Sequence, residues 1–231
     1  ALDAHQRALD AFSDLGDAHG QATVWMNLGY SLGGLRRFEE ALDAQQRALA
    51  VFNELGDTHR QATVWMNLGY SLDDLRRFEE ALDAYHRALD AFSDLGDAHG
   101  QATVWMNLGY SLRELRRFEE ALDAQKRALD AFKELGDIHS QAMAWTNIGM
   151  ALRGLGEFGS AEEAGKRSAA LFEEVGDSFR RGKALGELAL TLSQTGRGDA
   201  EVQLVRETAA ELLREVGADD EAERAPGGIT A

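Results

Sequence analysis

The sequence predicts an all-α protein in which pairs of helices stack into a solenoid of about eleven helices. Three observations support this prediction. The twelve residues QATVWMNLGYSL occur at 21–32, 61–72 and 101–112, forty residues apart each time. A glycine followed by an aspartate, as in Gly56-Asp57, recurs at the end of each unit as a helix stop and a helix start. Only one proline, Pro226, is present in 231 residues, so the commonest helix breaker is nearly absent.

The repeat divides the chain into units of forty residues. The units at 17–56 and 97–136 match at 34 of 40 positions, and those at 17–56 and 57–96 match at 30 of 40. Diverged units follow at 137–176 and 177–217, and residues 1–16 correspond to the second half of a unit only. We therefore expect a repeat domain over 1–217 that begins with an unpaired second helix. Residues 218–231 have no apolar period and predict a disordered acidic tail.

Each unit is predicted to contain two helices. Gly56 can adopt the left-handed geometry that ends a helix, and Asp57 is a good N-cap for the next one. A second break is predicted at 33–37, where the apolar phase changes. The corresponding segments of the next units read DDLRR and RELRR, so glycine is not required at this turn.

Helical periodicity assigns the side chains of the unit 17–56 to faces. The core side of the first helix comprises Ala22, Trp25, Leu28, Gly29, Leu32 and Leu35, and the opposite side comprises Thr23, Met26, Asn27, Tyr30 and Gly34. The core side of the second helix comprises Phe38, Ala41, Leu42, Gln45, Ala48, Leu49, Phe52 and Leu55. The small residues Gly29 and Ala48 predict close helix packing, and the pair Asp43 and Arg47 predicts a solvated outer face.

This pattern resembles the tetratricopeptide repeat, and the six additional residues per unit resemble its forty-residue subclass. The matching residues are Trp25, Leu28-Gly29, Leu32, Ala41 and Ala48, with Trp65, Leu68-Gly69, Leu72, Ala81 and Ala88, and with Trp105, Leu108-Gly109, Leu112, Ala121 and Ala128 in the next units. The aromatic residue that is usual in the second helix is present only as Tyr85. The resemblance implies a right-handed α-α superhelix whose first helices line the concave side.

The resemblance also implies a site, because Asn in the first helix commonly contacts the main chain of a bound peptide in this family. The repeating off-core side would then face the groove; beside Thr23, Thr63, Thr103 and Met26, its candidate partner-binding residues are Asn27, Tyr30, Met66, Asn67, Tyr70, Met106, Asn107, Tyr110, Asn147 and Arg153. Amides pair with a peptide backbone, and Tyr and Met add adaptable apolar contact. The alternative is structural: Asn27 and its copies bond across neighbouring helices, and the tyrosines pack on them.

Differences between the near-identical units provide further candidates. Gly33-Gly34 becomes Asp73-Asp74 and then Arg113-Glu114, and Gln45-Gln46 becomes Tyr85-His86 and then Gln125-Lys126. The first set lies at the groove end of the first helix, so Asp73, Asp74, Arg113 and Glu114 are candidates for tuning specificity by charge. Drift at exposed positions accounts for the same differences equally well.

Composition argues against several classes of function. The formal net charge of −16 disfavours nucleic acid and anionic membranes, and the absence of cysteine excludes disulfides and thiolate metal sites. His19, His59, His99 and His139 lie in different units, too far apart to share one metal, and are expected to be solvated. Without a glycine-rich phosphate loop or a plausible catalytic set, we expect no enzyme activity, no metal and no cofactor.

The sequence thus predicts a cytoplasmic protein-interaction scaffold that binds a peptide or helix of a partner in its concave groove. We expect it to be a fragment of a larger regulator, of the kind found in bacterial signalling. The alternative function is a structural one, in which near-identical units and the N-terminal helix at 1–16 drive assembly into homo-oligomers.

Overall fold

The computed structural model describes residues 2–224. These residues form twelve α-helices and no strand, which confirms the predicted all-α class. The helices are α1 (Leu2–Asp14), α2 (Ala18–Gly34), α3 (Phe38–Leu55), α4 (Thr58–Asp74), α5 (Phe78–Asp94), α6 (Ala98–Glu114), α7 (Phe118–Glu134), α8 (Ile138–Gly154), α9 (Phe158–Glu174), α10 (Ser178–Gln194), α11 (Asp199–Glu215) and α12 (Asp219–Arg224).

The chain forms two compact units, Ala1–Leu115 and Arg116–Ala231. In the first unit, each helix from α1 to α6 packs on the next one, α2 also contacts α4, and α4 contacts α6. In the second unit, α7 to α12 pack consecutively in the same way, and α8 contacts α10. Within each unit, therefore, the first helices of successive repeats are neighbours. This neighbour relation brings equivalent residues of different repeats into one surface.

The glycine–aspartate boundaries end and begin helices as predicted. Gly56 has a φ of 68°, in the left-handed region, and the corresponding glycines of the other boundaries are alike. Asp57 Oδ1 accepts a hydrogen bond of 3.1 Å from the backbone N–H of Arg60 in the first turn of α4. The capping aspartates of α2, α6, α8 and α10 make the equivalent bond. These caps fix where every first helix from α2 to α10 begins.

The core agrees with the predicted faces except at the helix ends. In α2, Ala22 and Leu32 are buried, and in α3 Gln45 and Phe52 are buried. Leu35 and Leu55, which the periodicity assigns to the core, are 56% and 48% exposed, so that prediction is wrong for both. Leu35 follows the last residue of α2 and Leu55 is the last residue of α3, where the chain no longer packs on the neighbouring helix. The apolar periodicity of the sequence continues into the turn, whereas the burial of side chains between helices ends before it.

The tryptophans lie at the edge of the core. Trp25 is half-buried, and the guanidinium of Arg47 lies 4.8 Å from its ring centroid while Arg47 Nε bonds Asp43 Oδ2 at 2.9 Å. The same Arg-over-Trp contact recurs between Arg87 and Trp65 and between Arg167 and Trp145. The exposed Asp–Arg pair of the second helix therefore also positions a cation that covers the tryptophan.

Two features of the C-terminal part differ from expectation. The residues Asp219–Arg224, which fall in the segment expected to be disordered, form the short helix α12, which packs on α11. The remainder of that segment, 225–231, lies outside the described residues. With α12 the described chain has twelve helices, against about eleven expected, and none of the twelve has the length and apolar character needed to cross a membrane.

The turn between the two helices of a repeat places an arginine in a left-handed conformation. Arg36, Arg76 and Arg116 have φ values of 60°, 59° and 61°, although a side chain at such a φ clashes with its own backbone. In the fourth and fifth repeats, Gly156 and Gly196 occupy this position. The first three repeats thus carry backbone strain that the last two relieve with glycine.

We expect Arg76→Gly to stabilise the protein. Removing the strain gains about 1 kcal/mol, and the greater freedom of glycine in the unfolded chain offsets part of it, leaving roughly 0.5 kcal/mol of net stabilisation. Urea denaturation followed by circular dichroism measures the change as an increased transition midpoint.

The matched control is Arg77→Gly, one residue further on. Arg77 has a φ of −90° and makes two hydrogen bonds of 2.7 Å to the carboxylate of Glu80. Glycine relieves no strain there and removes both bonds, so its midpoint should decrease. Equal decreases in the two variants would show that the left-handed turn stores no strain.

Candidate functional site

One side of α2, α4 and α6 in the first unit carries the predicted stripe, and we call it the tyrosine face. It is defined by Asn27 and Tyr30, Asn67 and Tyr70, and Asn107 and Tyr110. The tyrosines are 76%, 44% and 40% exposed in that order. The asparagines change from exposed Asn27 through half-buried Asn67 to buried Asn107. Three identical motifs therefore occupy three different environments.

The threonines of the stripe are engaged within their own helices. The hydroxyls of Thr23, Thr63 and Thr103 donate to the carbonyl oxygens four residues earlier, at His19, His59 and His99. This local bond uses the hydroxyl proton, so these threonines present mainly their methyl groups. The methionines Met26, Met66 and Met106 are half-buried beside them. The polar donors of the tyrosine face are consequently its amides and phenols.

Asn107 is held in one orientation by a neighbouring repeat. The Tyr70 hydroxyl donates to Asn107 Oδ1 at 3.1 Å, across from α4 to α6. With Oδ1 used as the acceptor, Nδ2 is left with two hydrogens, and it is a buried nitrogen without a hydrogen-bond partner. An unsatisfied buried donor costs about 1–3 kcal/mol. Asn107 thus combines the predicted structural role with an unused hydrogen-bond donor.

A buried carboxylate lies behind the tyrosine face. Asp73 is only 8% exposed; its Oδ2 accepts from the Tyr85 hydroxyl at 2.8 Å, and its Oδ1 accepts from Ser111 Oγ at 2.6 Å. The ring of Tyr85 in turn meets that of Tyr70 edge to face, with centroids 6.3 Å apart. Asp73 therefore joins α4, α5 and α6. The ring of Tyr85 lies between Asp73 and Tyr70, the exposed tyrosine of α4.

The chemistry of Asp73 follows from this burial. Loss of solvation raises its pKa to about 6, and the nearby carboxylates of Asp74 and Glu114 act in the same direction. The bonds from Ser111 and Tyr85 favour the charged form but do not compensate for the burial. Within the described part of the chain, Asp73 makes no ion pair with an arginine, lysine or histidine. It is therefore a buried acid that is held by neutral donors alone.

A serine in the repeated motif forms the contact between repeats. Ser71 Oγ donates to Gln45 Oε1 at 3.2 Å, and Ser31 Oγ lies 3.1 Å from His5 Nε2. The third copy, Ser111, bonds Asp73 instead. The sequence did not predict this role for the serines. A sequence signal for the role of Ser111 was present, because Asp73 and Tyr85 both differ from the residues at their positions in the other repeats. In the structure these two residues contact one another.

The remaining charged candidates lie at the edge of the tyrosine face. Arg113 bonds Glu114 at 2.8 Å, and its guanidinium lies 5.0 Å from the ring centroid of Tyr110. Asp74 is exposed and has no ion-pair partner among the described residues. Of the four charged candidates, Asp73 is buried, whereas Asp74, Arg113 and Glu114 are at least partly accessible.

In the second unit, the equivalent residues are bonded internally. Arg153 donates to the backbone oxygen of Glu187 at 3.1 Å and to its Oε2 at 2.8 Å. Asn147 Nδ2 donates to Gln125 Oε1 at 3.5 Å, and the Thr146 and Ser168 hydroxyls are 2.7 Å apart. Asn147 and Arg153 therefore stabilise the packing of their own unit, and the amide nitrogen of Asn147, unlike that of Asn107, has an acceptor.

The first-turn histidines were expected to be solvated, but His19 and His139 contact the next repeat. His19 Nε2 lies 3.1 Å from Asp57 Oδ2, the N-cap of the next repeat, and its ring packs edge-on against Phe52. His139 makes the same contacts to Asp177 and Phe172. These histidines link successive repeats at the boundary. Among the described residues, no group of three or more His, Asp or Glu side chains is arranged to hold a metal ion.

We expect Asp73→Asn to stabilise the protein at neutral pH. Because the folded protein holds the Asp73 proton up to about pH 6 and the unfolded chain only to about pH 4, wild-type stability falls as pH rises through this window and stays lowered above it. Asparagine removes this loss, which amounts to roughly 3 kcal/mol above about pH 7. Urea unfolding midpoints of both proteins, measured from about pH 4 to 8, test the difference.

The control is Asp94→Asn, at an exposed acid near the end of α5. Its difference from wild type should stay small and should not follow the window between pH 4 and 6. If Asp73→Asn is less stable than wild type at neutral pH, the charged carboxylate is the form that Tyr85 and Ser111 stabilise.

Solved structures share this arrangement of helices. BtubC (BKLC) from P. vanneervenii superposes with a TM-score of 0.79 at 18% identity, over 93% of this chain and 90% of that one. The apo form of RapI gives a TM-score of 0.81 at 17% identity, over 97% and 88%. A Rap protein complexed with competence and sporulation factor gives 0.76 at 18%, over 87% of this chain and 56% of that one. At these identities the likeness concerns the fold alone.

Sequence comparison identifies the repeat itself. Among curated proteins, no sequence matches this chain. Three family profiles described as tetratricopeptide repeat match residues 22–60, 60–134 and 106–175, and together they span 22–175. These segments contain the stacked helix pairs from α2 to α9, together with the Leu-Gly signature and the paired alanines. The chain therefore belongs to the tetratricopeptide repeat family and has its solenoid fold.

Proposed function

We propose that this chain is a protein-interaction scaffold and that the tyrosine face binds an extended peptide or a helix of a partner protein. In this family the first helices line the concave groove, so the proposal places the partner along α2, α4 and α6. No catalytic, metal or cofactor role forms part of it. Nucleic acid and membranes are not proposed partners, because the net charge of −16 opposes binding to phosphate-rich surfaces.

The observation that supports this proposal best is the unpaired Nδ2 of Asn107. Tyr70 fixes the amide so that its donor has no acceptor within the protein. This nitrogen is buried, so a backbone carbonyl of a bound peptide would satisfy it where the side chains that cover it move aside, and the protein would then recover the cost of leaving it unpaired. The exposed rings of Tyr30, Tyr70 and Tyr110 provide apolar contact on either side at a low cost in side-chain entropy.

The structural neighbours are consistent with such a role. One of them was solved as a Rap protein complexed with competence and sporulation factor, and a further one is a signal transduction ATPase with a tetratricopeptide repeat sensor. We therefore propose that the chain is part of a larger cytoplasmic regulator of the bacterial signalling type. The identity of that regulator does not affect the use of the tyrosine face.

The proposal is tested by selecting binders from a displayed library of random peptides and measuring their affinity by fluorescence anisotropy. Replacing Asn107 with alanine removes the donor, so the selected peptides should bind about tenfold more weakly, the equivalent of one backbone hydrogen bond. Asn67→Ala, at the half-buried copy in α4, should weaken binding to a smaller extent.

The control variant is Asn53→Ala, which alters an exposed asparagine near the end of α3. It should bind every selected peptide as wild type does, and all three variants should keep the helical circular dichroism signal. If no peptide is selected, or if the selected peptides tolerate both Asn67→Ala and Asn107→Ala, the tyrosine face is not a peptide-binding site.

A second candidate function is self-association through α1, and one observation favours it. In α5, Ala84 and Ala88 are 3% and 0% exposed, because they pack between two first helices. In α1, the equivalent Ala4 is exposed and Ala8 is half-buried, and Leu9 is the one buried residue among those described. Among the described residues this side of α1 is covered by α2 alone, and we propose that another copy of the chain packs on the rest of it.

Light scattering over a concentration series tests this alternative. If α1 mediates assembly, wild type should form dimers or larger species, and Ala4→Glu should shift them to monomers by placing a charge in the interface. Gln6→Glu adds the same charge on the outer side of α1 and should leave the assembly intact. A monomer at all concentrations would remove this function.

A further inference from the structure

We infer that the end of the tyrosine face formed by Tyr70, Asp74, Tyr110 and Glu114, with Asp73 behind it, is a subsite for a lysine or arginine side chain of the bound peptide. This inference rests on the proposed function and specifies the chemistry of the partner. Nothing in the recurring Asn–Tyr motif requires a charged ligand. The acidic character comes from residues that only the second and third repeats possess.

The charge at this end of the face is not balanced within the protein. Asp73, Asp74 and Glu114 supply three carboxyl groups, and Arg113 is bonded to Glu114. Arg36, on the turn after α2, acts on Asp74 through space, but no ion pair joins them in the described chain. These carboxylates lie at adjoining helix ends, since the Ser111–Asp73 bond of 2.6 Å joins α6 to α4 and Asp74 and Glu114 are the last residues of those two helices. An added cation is therefore favoured there.

The aromatic rings at this end suit a cation as well. Tyr70 and Tyr110 remain 44% and 40% exposed, and the faces of such rings attract ammonium and guanidinium groups. The protein already makes this interaction once, since the Arg113 guanidinium lies 5.0 Å from the Tyr110 ring centroid while it bonds Glu114. Tyr70 and Asp74 lie one turn apart in α4, as Tyr110 and Glu114 do in α6, and among the described residues no arginine of the first unit stacks on the Tyr70 ring.

A second observation locates a ligand at the same place. Asn107 is 7% exposed and has an unpaired Nδ2, and it lies one helical turn before Ser111, whose Oγ bonds Asp73 Oδ1 and is 3.4 Å from the backbone oxygen of Asn107. A donor of this kind takes a carbonyl of the peptide, and the neighbouring carboxylates take a basic side chain of the same segment. One extended peptide can supply both the carbonyl oxygen and the basic side chain.

The other repeats lack the subsite. The positions of Asp73 and Asp74 are Gly33 and Gly34 in the preceding repeat, and they are Arg153 and Gly154 in the fourth. The basic side chain would therefore be required at one position of the peptide and not at regular intervals along it. This restriction distinguishes a subsite from the general attraction of a basic peptide to an acidic protein.

The experiment uses the peptides selected on wild type whose affinity depends on Asn107. We expect them to share a lysine or arginine at one position, and its replacement with norleucine should weaken binding about tenfold, as the loss of a charge-assisted contact does. In the double variant Asp74→Asn/Glu114→Gln, the same replacement should have little effect. Such a double-mutant cycle measures the contact itself.

The matched control is Glu54→Gln/Asp94→Asn, which removes the same two charges from exposed positions away from the tyrosine face. In this control, norleucine should still cost about tenfold. Equal costs in both double variants, or no basic residue at a fixed position, would overturn the subsite and leave the Asn107-dependent peptide site in place. Absence of any Asn107-dependent peptide would also overturn the subsite, and the peptide site falls with it only if the peptides tolerate Asn67→Ala as well.

Discussion

The first helices of the first unit are buried against the second helices, and the position of every residue of the tyrosine face depends on this packing. The helix α4 lies against both α3 and α5, so Ala62, Val64, Leu68 and Gly69 are all buried. A helix buried on two sides retains only a narrow exposed stripe. Asn67 and Tyr70 lie on that stripe because every other direction is occupied. The contact is close as well, since a Cβ on Gly69 would lie 2.6 Å from Cζ of Tyr85.

The fold could be predicted from the sequence because its signals are local and repeated five times. Glycine and aspartate mark the boundaries through their own backbone geometry and hydrogen bonding, and no distant residue is needed to interpret them. The errors have the same origin. Leu35 and Leu55 continue the apolar period of their helices, but exposure is decided by the neighbouring helix, which a period does not describe.

The stripe of the candidate site was predictable from helical geometry, whereas its chemistry was not. Three copies of the same Asn–Tyr motif predict three equal sites, yet only Asn107 is both buried and left with an unused donor. Asp73 was expected at the surface, as a charge that tunes specificity, and it is buried. A position on a helical wheel shows which side of its helix a residue occupies. It cannot show that Ser111 and Tyr85, from two other helices, both donate to Asp73.

The contact between Asp73 and Tyr85 also explains why these two positions differ together from the other repeats. A buried phenol needs an acceptor, and a buried carboxyl needs donors, so each residue removes the cost of the other. The first repeat has Gly33 and Gln45 instead, and there Gln45 Oε1 accepts from Ser71. Drift at exposed positions, the alternative interpretation of these differences, does not apply to this pair, because both side chains are buried.

Tyr85 also sets one of the three motifs apart from the others. It supplies a ring against which Tyr70 packs edge to face, with centroids 6.3 Å apart. Held in this way, Tyr70 reaches Asn107 and fixes its amide. A single aromatic residue in a second helix thus supports the tyrosine that orients one of the three asparagines. Near-identical repeats therefore need not provide equivalent sites, because each motif acquires its chemistry from the repeat beside it.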